Sequence, residues 1–266
     1  MKNVLITGVC GGMGHAVAEQ LLREGYQVYG IDVAESVDLP VRYLQANLCE
    51  AAAVEEAYAK VSEEVAELTA ILHFAGFYTM HSLVEISEAE FFKIFQINLF
   101  AVYRVNKTFL PLLKKGSKIV MTSSELAPLD PLPFTGLYAV TKAAIEKYAD
   151  SLRMELNLLD IRVSVIRPGA VNTGMIDASV RSLERLCNET ELYKYNTGRF
   201  KKIVNSVETR KIPPCRIAKI ACKILRVKKP KYIYNINRNP LLRILSALPK
   251  TWQVGIIAGI LRQKKN

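Results

Sequence analysis

Tyr138 and Lys142 are the two residues whose types and spacing first suggest chemistry. They stand four residues apart in LYAVTKAAIEKYADSL (residues 137–152), a segment whose apolar periodicity predicts an amphipathic helix. Residues four apart share one helix face, so the ammonium group can reach the phenol. A tyrosine has a pKa of about 10, too high for a base at neutral pH, and a neighbouring cation favours the phenolate. The pair could therefore act as a general acid and base.

A second tyrosine–lysine pair shows that spacing alone does not identify a site. Tyr103 and Lys107 have the same separation but stand in the middle of a predicted helix. Tyr138 differs because the sequence MTSSE ends the preceding predicted strand and supplies Ser123 and Ser124. Ligands of open α/β sheets bind beyond the carboxyl ends of the strands. We therefore expect a serine hydroxyl near Tyr138 and a structural role for Tyr103 and Lys107.

A glycine-rich turn, TGVCGGMG (residues 7–14), lies between a predicted strand and a predicted helix. Its glycines permit a tight turn and a close approach of the backbone to a pyrophosphate, whose charge meets free N–H groups at the helix N-terminus. Asp32 ends the next predicted strand, 18 residues after Gly14, near the spacing of an acid that holds the ribose. A carboxylate there repels a 2′-phosphate, which favours NAD over NADP. The alternative interpretation of Asp32 is a solvent-exposed acid at a strand end.

Strand and helix patterns alternate through the first two thirds of the chain. Short apolar runs predict strands at 3–8, 26–33, 41–48, 70–76, 117–124 and 161–169. Helical periodicity follows most of them, including a long helix at 88–113 that Pro111 should break. Strands that are apolar throughout suit a parallel sheet covered on both faces. We predict an α/β fold with one domain, a doubly wound parallel sheet with helices on both faces.

Six motifs occur together in the chain: TGVCGGMG, HFAG, INLF, TSSE, YAVTK and RPGAVNTGM. This combination resembles the classical short-chain dehydrogenase/reductase family, and in particular its hydroxysteroid and retinol dehydrogenase-like members. The resemblance implies a Rossmann-like, NAD-binding catalytic core over residues 1–180. Residues 181–266 would hold a substrate-capping segment, the last core elements and a C-terminal helical extension of the same domain.

The resemblance also implies a catalytic tetrad of Asn98, Ser124, Tyr138 and Lys142. Tyr138 would be the general acid and base, and Ser124 would hold the substrate oxygen. Lys142 would bind the nicotinamide ribose and lower the pKa of Tyr138, while Asn98 would hold a water that links Lys142 to solvent. No metal is expected. The cofactor-binding residues implied in the same way are Gly8, Gly12, Met13, Gly14, Asp32, Asn47, Leu48, Ala75, Gly76, Asn98, Tyr138, Lys142, Pro168, Gly169, Val171 and Thr173.

Three features depart from the family pattern. His73 and Phe74 replace two asparagines of the usual Asn-Asn-Ala-Gly turn, and we expect His73 to be structural. Asn47 stands where the family usually has an aspartate beside the adenine, and its amide can still donate and accept hydrogen bonds. Ser124 precedes Tyr138 by 14 residues, one more than is usual, so the neighbouring serine remains an alternative to Ser124.

Composition argues against several other classes of protein. The five cysteines are scattered, with no CxxC pair and no Cys/His spacing suited to zinc. An odd number of cysteines in a chain of 266 residues favours reduced thiols in a cytoplasmic protein. The first apolar run holds about five residues, short of the ~7–15 of a secretory signal, so we interpret it as a strand.

Charge is distributed unevenly along the chain. Residues 199–266 carry 18 Lys and Arg against one acid, whereas residues 1–198 carry 18 against 24 acids. The tail, residues 240–266, combines cations with apolar residues and one Trp, but its longest apolar run, 254–261, is much shorter than the ~20 residues that span a bilayer. Such a basic amphipathic end can lie on an anionic membrane surface; the alternative is a helix packed on the protein or on a second subunit. Nucleic acid is not expected, because no recognised binding module accompanies the charge.

These features predict an oxidoreductase that transfers hydride between NAD(H) and a secondary alcohol or ketone. Residues 176–208 could form two helices over the site, whose apolar faces select an apolar substrate such as a hydroxysteroid or another lipid. A reductase of acyl-carrier-protein-linked keto groups and a non-catalytic dinucleotide sensor are the alternatives. Similar proteins pair through the helices at 88–113 and 137–157, so we expect a cytoplasmic homodimer or homotetramer. Membrane contact through residues 240–266 and packing of this tail on protein stay equal alternatives.

Overall fold

The computed structural model describes residues 2–130, 132–208 and 210–262, which form one parallel sheet flanked by helices. Seven strands lie in the order β3-β2-β1-β4-β5-β6-β7, and every neighbouring pair is parallel. The strand order reverses between β1 and β4, which creates a crevice at the carboxyl ends of the strands. The strands are β1 Lys2–Thr7, β2 Tyr26–Asp32, β3 Arg42–Gln45, β4 Leu68–His73, β5 Leu113–Thr122, β6 Arg162–Pro168 and β7 Ile233–Ile236.

Helices cover both faces of the sheet, because side chains alternate across each strand and both faces are apolar. On β1, the side chain of Leu5 packs on the face covered by α2, α4 and α5. The side chains of Val4 and Ile6 pack on the opposite face, which α1 and α8 cover. Each fully buried side chain of this kind contributes roughly 1.5–3 kcal/mol. The α-helices of the described residues are α1 Gly12–Arg23, α2 Ala51–Glu64, α3 Glu88–Phe95, α4 Ala101–Phe109, α5 Gly136–Asn157, α6 Gly174–Glu189, α7 Lys194–Glu208, α8 Cys215–Arg226, α9 Pro240–Ala247 and α10 Lys250–Leu261.

The predicted doubly wound sheet is confirmed, including all six predicted strands. β5 begins at Leu113 rather than at residue 117, and β7 and α8 were not predicted. β7 has only four residues, none of them fully buried, and it lies within the basic C-terminal third of the chain. In α8, basic residues interrupt the apolar ones, so the segment looks like part of the basic C-terminal third.

The helix predicted at 88–113 is interrupted twice. A 3₁₀ turn at Leu110–Leu112 ends it and contains Pro111, so the predicted break is confirmed; proline has no N–H to continue the helix. The other interruption, a π-helical turn at Gln96–Phe100, lies between α3 and α4 and was not predicted. Such turns insert a residue into the helical repeat and often occur at functional sites. This one contains Asn98.

The C-terminal third places helices over the carboxyl ends of the strands. α6 and α7 are the two helices predicted within 176–208. The Ser182 hydroxyl of α6 accepts a hydrogen bond from the backbone N–H of Met80, 2.6 Å away, and ties α6 to the loop after β4. α10 packs against α7 through Leu261, which belongs to the same apolar cluster as Phe200. Within the described ranges, no helix is long and apolar enough to cross a bilayer.

Candidate active site

Tyr138 lies buried in the first turn of α5, at the carboxyl ends of the strands. Its ring makes an edge contact with the ring of Tyr78, with the centroids 4.7 Å apart. The Nζ of Lys142 lies 5.6 Å from the Tyr138 ring centroid, as expected for residues one helical turn apart. The other pair, Tyr103 and Lys107, is exposed on the outer side of α4, in agreement with a structural role.

Burial governs the protonation of this pair. It raises the pKa of Tyr138, and an interaction with the Ser124 hydroxyl opposes that shift in part. Burial also lowers the pKa of Lys142 to about 8. Both shifts favour the uncharged forms, because a dry site disfavours charge. Tyr138 is therefore a phenol in this structure, and Lys142 remains largely protonated at pH 7.

The two serines at the end of β5 point in different directions. The Ser123 hydroxyl donates to Oε1 of Glu146, 2.8 Å away, and this carboxylate also pairs with the Arg167 guanidinium at 2.5 Å. The Ser124 hydroxyl instead accepts from the Leu126 N–H at 3.2 Å and interacts with Tyr138. The structure thus brings Ser124 to the phenol and uses Ser123 to join β5 to α5.

Lys142 and Asn98 are held by backbone groups beside Gly76. Lys142 Nζ donates to the Thr122 carbonyl, 3.0 Å away. The Asn98 amide accepts from Phe77 N–H at 2.7 Å, and donates to Phe77 O at 2.9 Å and to Thr141 Oγ1 at 3.0 Å. A methyl group placed on Gly76 would lie 3.5 Å from both Asn98 Oδ1 and Lys142 Nζ, so the two side chains flank this glycine. The role of Asn98 in a water relay stays a prediction.

A groove of about 880 Å³ runs along the carboxyl ends of the strands. The glycine turn forms its floor: Gly8 has φ +74°, and a side chain there would meet Ala75 N at 2.4 Å. A Cβ on Gly14 would lie 2.1 Å from Gly8 O, so the turn requires both glycines. The groove brings together the following predicted cofactor residues: Gly8, Gly12, Met13, Gly14, Asp32, Asn47, Leu48, Ala75, Gly76 and Thr173.

Asp32 presents its carboxylate at one side of this groove. Oδ2 accepts from Cys10 N–H at 3.0 Å and Oδ1 from Val33 N–H at 2.8 Å, which fixes the group against the glycine turn. Among the described lining residues the single cation is Lys93, on α3 and outside the glycine turn. The Asn47 amide binds Glu50 Oε1 at 2.6 Å and accepts from the Cys49 N–H. An open glycine-floored groove with one fixed carboxylate fits a dinucleotide.

A smaller pocket of about 170 Å³ opens beside the groove and shares Met13, Gly76 and Thr173 with it. Five more predicted cofactor residues line it, namely Tyr138, Lys142, Pro168, Gly169 and Val171, together with Ser124. Asn98 is not among the lining residues that the structure describes for either cavity. The chemical groups of Ser124 and Tyr138 thus face the pocket, where a substrate would lie.

Several pocket residues could not be found from the sequence. The apolar walls include Met80, Leu132, Phe200 and Leu242, which come from four separate segments. Glu125 also lines the pocket; burial raises its pKa, and its Oε2 accepts from Asn239 N–H at 2.5 Å. The only sequence signal that could have placed Glu125 in the pocket is its position directly after Ser124.

His73 is structural, as predicted. It is fully buried at the end of β4, and its Nε2 lies 2.8 Å from Asn106 Oδ1 of α4. Burial lowers the pKa of His73 to about 4, so the ring is neutral near pH 7. Asn106 in turn donates to the Tyr148 hydroxyl of α5 at 3.2 Å. The residue that replaces the family's asparagine therefore links the sheet to two helices.

Comparison with known proteins gives matches over most of the chain. The sequence profile described as short chain dehydrogenase matches residues 2–183. The chain is 29% identical over 252 residues to 3-ketodihydrosphingosine reductase of Bacteroides thetaiotaomicron, covering 94% of this chain and 92% of that protein. It is 28% identical over 187 residues to estradiol 17-beta-dehydrogenase 2 of Mus musculus, covering 66% and 49%. A solved alcohol dehydrogenase from Thermococcus sibiricus, complexed with 5-hydroxy-NADP, matches with a TM-score of 0.71 and 26% identity, covering 90% of this chain and 99% of that one.

Proposed function

The chain belongs to the short-chain dehydrogenase family of oxidoreductases, and we propose that it interconverts a secondary alcohol and a ketone with NAD(H). The observation that carries this proposal is the buried Tyr138, which stands with Ser124 and Lys142 beside the glycine-floored groove. A binding protein has no need of a phenol, a hydroxyl and an ammonium group around one small pocket. General acid–base catalysis does need them.

In this proposal each side chain has one task. The Ser124 hydroxyl holds the substrate oxygen, and Tyr138 donates its proton to that oxygen during reduction or removes it during oxidation. The bound dinucleotide supplies or accepts the hydride. Burial favours the protonated Tyr138, the form that a proton donor needs. When the proton has left, the Lys142 ammonium stabilises the phenolate.

The groove residues Gly8, Gly12 and Gly14 would receive the pyrophosphate, and Asp32 would bind the ribose. The fixed Asp32 carboxylate supports NAD, because a 2′-phosphate would bring two like charges together. Asn98, Pro168, Gly169, Val171 and Thr173 would complete the nicotinamide end.

An apolar substrate is the second part of the proposal. Apart from Lys142 and Glu125, the described lining of the pocket carries no charge, and its walls include the apolar residues Met80, Leu132, Phe200 and Leu242. Apolar surface favours an apolar ligand. Two relatives are named for 3-ketodihydrosphingosine and estradiol, which supports a substrate of this apolar class. We further propose a cytoplasmic homo-oligomer that contacts a membrane surface through the tail.

The test is turnover by the purified chain, with NAD(H) and then NADP(H), over hydroxysteroids, long-chain ketones and short secondary alcohols. Tyr138→Phe should lower kcat at least ~100-fold while NADH binding persists, and Tyr103→Phe, the matched control, should change neither. Turnover that survives Tyr138→Phe would contradict the proposal. NADH binding without activity on any substrate would favour a sensor, and NADPH-dependent activity confined to carrier-linked ketones would favour the acyl-carrier reductase.

A further inference from the structure

The last two described helices expose apolar side chains that the proposed reaction does not use. We call these the tail surface: Leu241, Ile244, Trp252, Val254, Ile256 and Ile260. Each is between 43% and 66% exposed, and α9 and α10, which carry them, contact each other. An exposed apolar patch of this kind indicates a site of interaction.

α10 is apolar on every side. Ile257 and Leu261 face inward, against the cluster that contains Phe200. Trp252, Ile256 and Ile260 follow each other at intervals of four residues and form a stripe on the exposed side. A helix that is apolar all round is stable when it is covered on all sides, by protein or by lipid. Within the described structure, α10 is covered on one side.

The charges around the tail surface indicate which partner covers it. Arg243 on α9 and Arg262 just after α10 are exposed, whereas Lys250 at the start of α10 is exposed but paired with Asp130. Residues 240–266 contain no acid. A symmetric contact with a second copy would place these cations against one another. A bilayer with anionic headgroups offers the opposite charge together with apolar chains, and each nearby Lys or Arg strengthens binding about five-fold.

α9 connects this surface to the substrate pocket. Leu242 is buried and lines the pocket, whereas Leu241 and Ile244 on the same helix point outward. The start of α9 is held by Asn239, which caps the helix and whose N–H binds Glu125. Near its other end, Ser246 Oγ accepts from Asp130 N–H at 3.0 Å. One helix therefore separates the tail surface from the pocket.

We propose that the tail surface docks on an anionic lipid bilayer, and that an apolar substrate passes beside α9 between the bilayer and the pocket. The docking stands on the exposed residues and charges alone. The passage rests on the proposed function.

Trp252 is the single tryptophan of the chain, so its fluorescence reports docking directly. Full-length protein is mixed with vesicles of phosphatidylcholine alone, or of phosphatidylcholine and phosphatidylglycerol in equal parts. With the anionic vesicles we expect flotation, a shift of Trp252 emission to shorter wavelength, and quenching by brominated acyl chains. Ile256→Lys should lose the shift but keep part of the flotation at low salt, and Ile256→Glu should lose both. Leu158→Glu, which alters a residue that is 84% exposed at the end of α5, is the matched control and should lose neither.

Three results would overturn the docking: no flotation of the folded wild type, flotation unchanged in Ile256→Glu, or a fall in solution mass in Ile256→Glu without any effect of lipid. The last would assign the surface to a second copy.

For the passage, Ile256→Glu should slow reduction of a long-chain ketone presented in vesicles by at least ~5-fold and leave a short soluble ketone unaffected. Equal rates in both proteins would overturn the passage. If the wild type reduces neither ketone, the proposed reaction and the passage fail together, while Trp252 emission still decides the docking.

Discussion

Ser123 and Ser124 show how adjacent residues of one type acquire different functions. The Ser123 hydroxyl belongs to a buried hydrogen-bond network with Glu146 and Arg167, whereas Ser124 faces Tyr138. We predict that Ser124→Ala lowers kcat/KM by at least ~100-fold, because the substrate oxygen loses a positioned donor. Ser123→Ala should keep activity within about ten-fold and lower the free energy of unfolding by ~1 kcal/mol. Steady-state kinetics and chemical denaturation of both variants check this, and the reverse order of the kinetic effects would assign the site to Ser123.

Asp32 is the residue on which the choice of dinucleotide depends. Asp32→Ser removes the carboxylate from the groove, so we predict that the ratio of kcat/KM for NAD to that for NADP falls at least ~10-fold. Asp38→Asn is the matched control, because Asp38 is an exposed acid paired with His15 and is not among the described residues that line the groove. A ratio unchanged in Asp32→Ser would show that the groove selects its cofactor by another residue.

At the scale of elements, the contact of His73 with Asn106 and of Asn106 with Tyr148 joins β4 to α4 and α5. Burial holds the pKa of His73 at about 4 in the folded chain, whereas an unfolded histidine titrates near 6.5. Between these values the unfolded chain binds more protons than the folded one. The stability that neutral His73 contributes is therefore present above pH ~6.5 and is lost as the pH falls towards ~4.

We predict that the titration of His73 lowers the free energy of unfolding by up to roughly 3 kcal/mol as the pH falls from 6.5 to 4. Denaturant titrations across the window measure it. His73→Asn keeps a polar partner for Asn106 but cannot titrate, so its stability should depend less on pH. An identical pH dependence in wild type and His73→Asn would contradict the argument.

Sequence patterns predicted the elements whose form is decided locally. The glycine turn, Asp32 and the Tyr138 helix follow from turn chemistry, strand ends and helical spacing, and the six predicted strands follow from short apolar runs. β7, the π-helical turn and the pocket walls depend on contacts between distant segments. The orientation of Ser123 also depends on contacts between distant segments, because it is set by Glu146 and Arg167, which lie on other elements. No local pattern contains that information.

At the scale of the whole molecule, two exposed apolar surfaces could each bind a partner. One is the tail surface. The other lies on α3, α4 and α5 with the π-helical turn, the helices predicted to pair, and exposes Phe92, Phe100, Tyr103, Val140 and Met154 by 43% to 75%. Stable interfaces bury at least ~1,000 Å² with an apolar centre. Adjoining helices with exposed aromatic and aliphatic side chains can supply such an area.

We predict that Phe100→Glu lowers the solution mass towards that of a single chain, because a carboxylate would be buried in the interface without a partner. Sedimentation velocity measures the mass, and circular dichroism checks that the variant is folded. Leu241→Glu is the matched control: it alters the tail surface, so it should leave the mass unchanged and weaken vesicle binding. If instead Leu241→Glu dissociates the assembly and Phe100→Glu does not, the two surfaces exchange roles, since the tail would then join subunits and the α3–α5 face would be free for another partner.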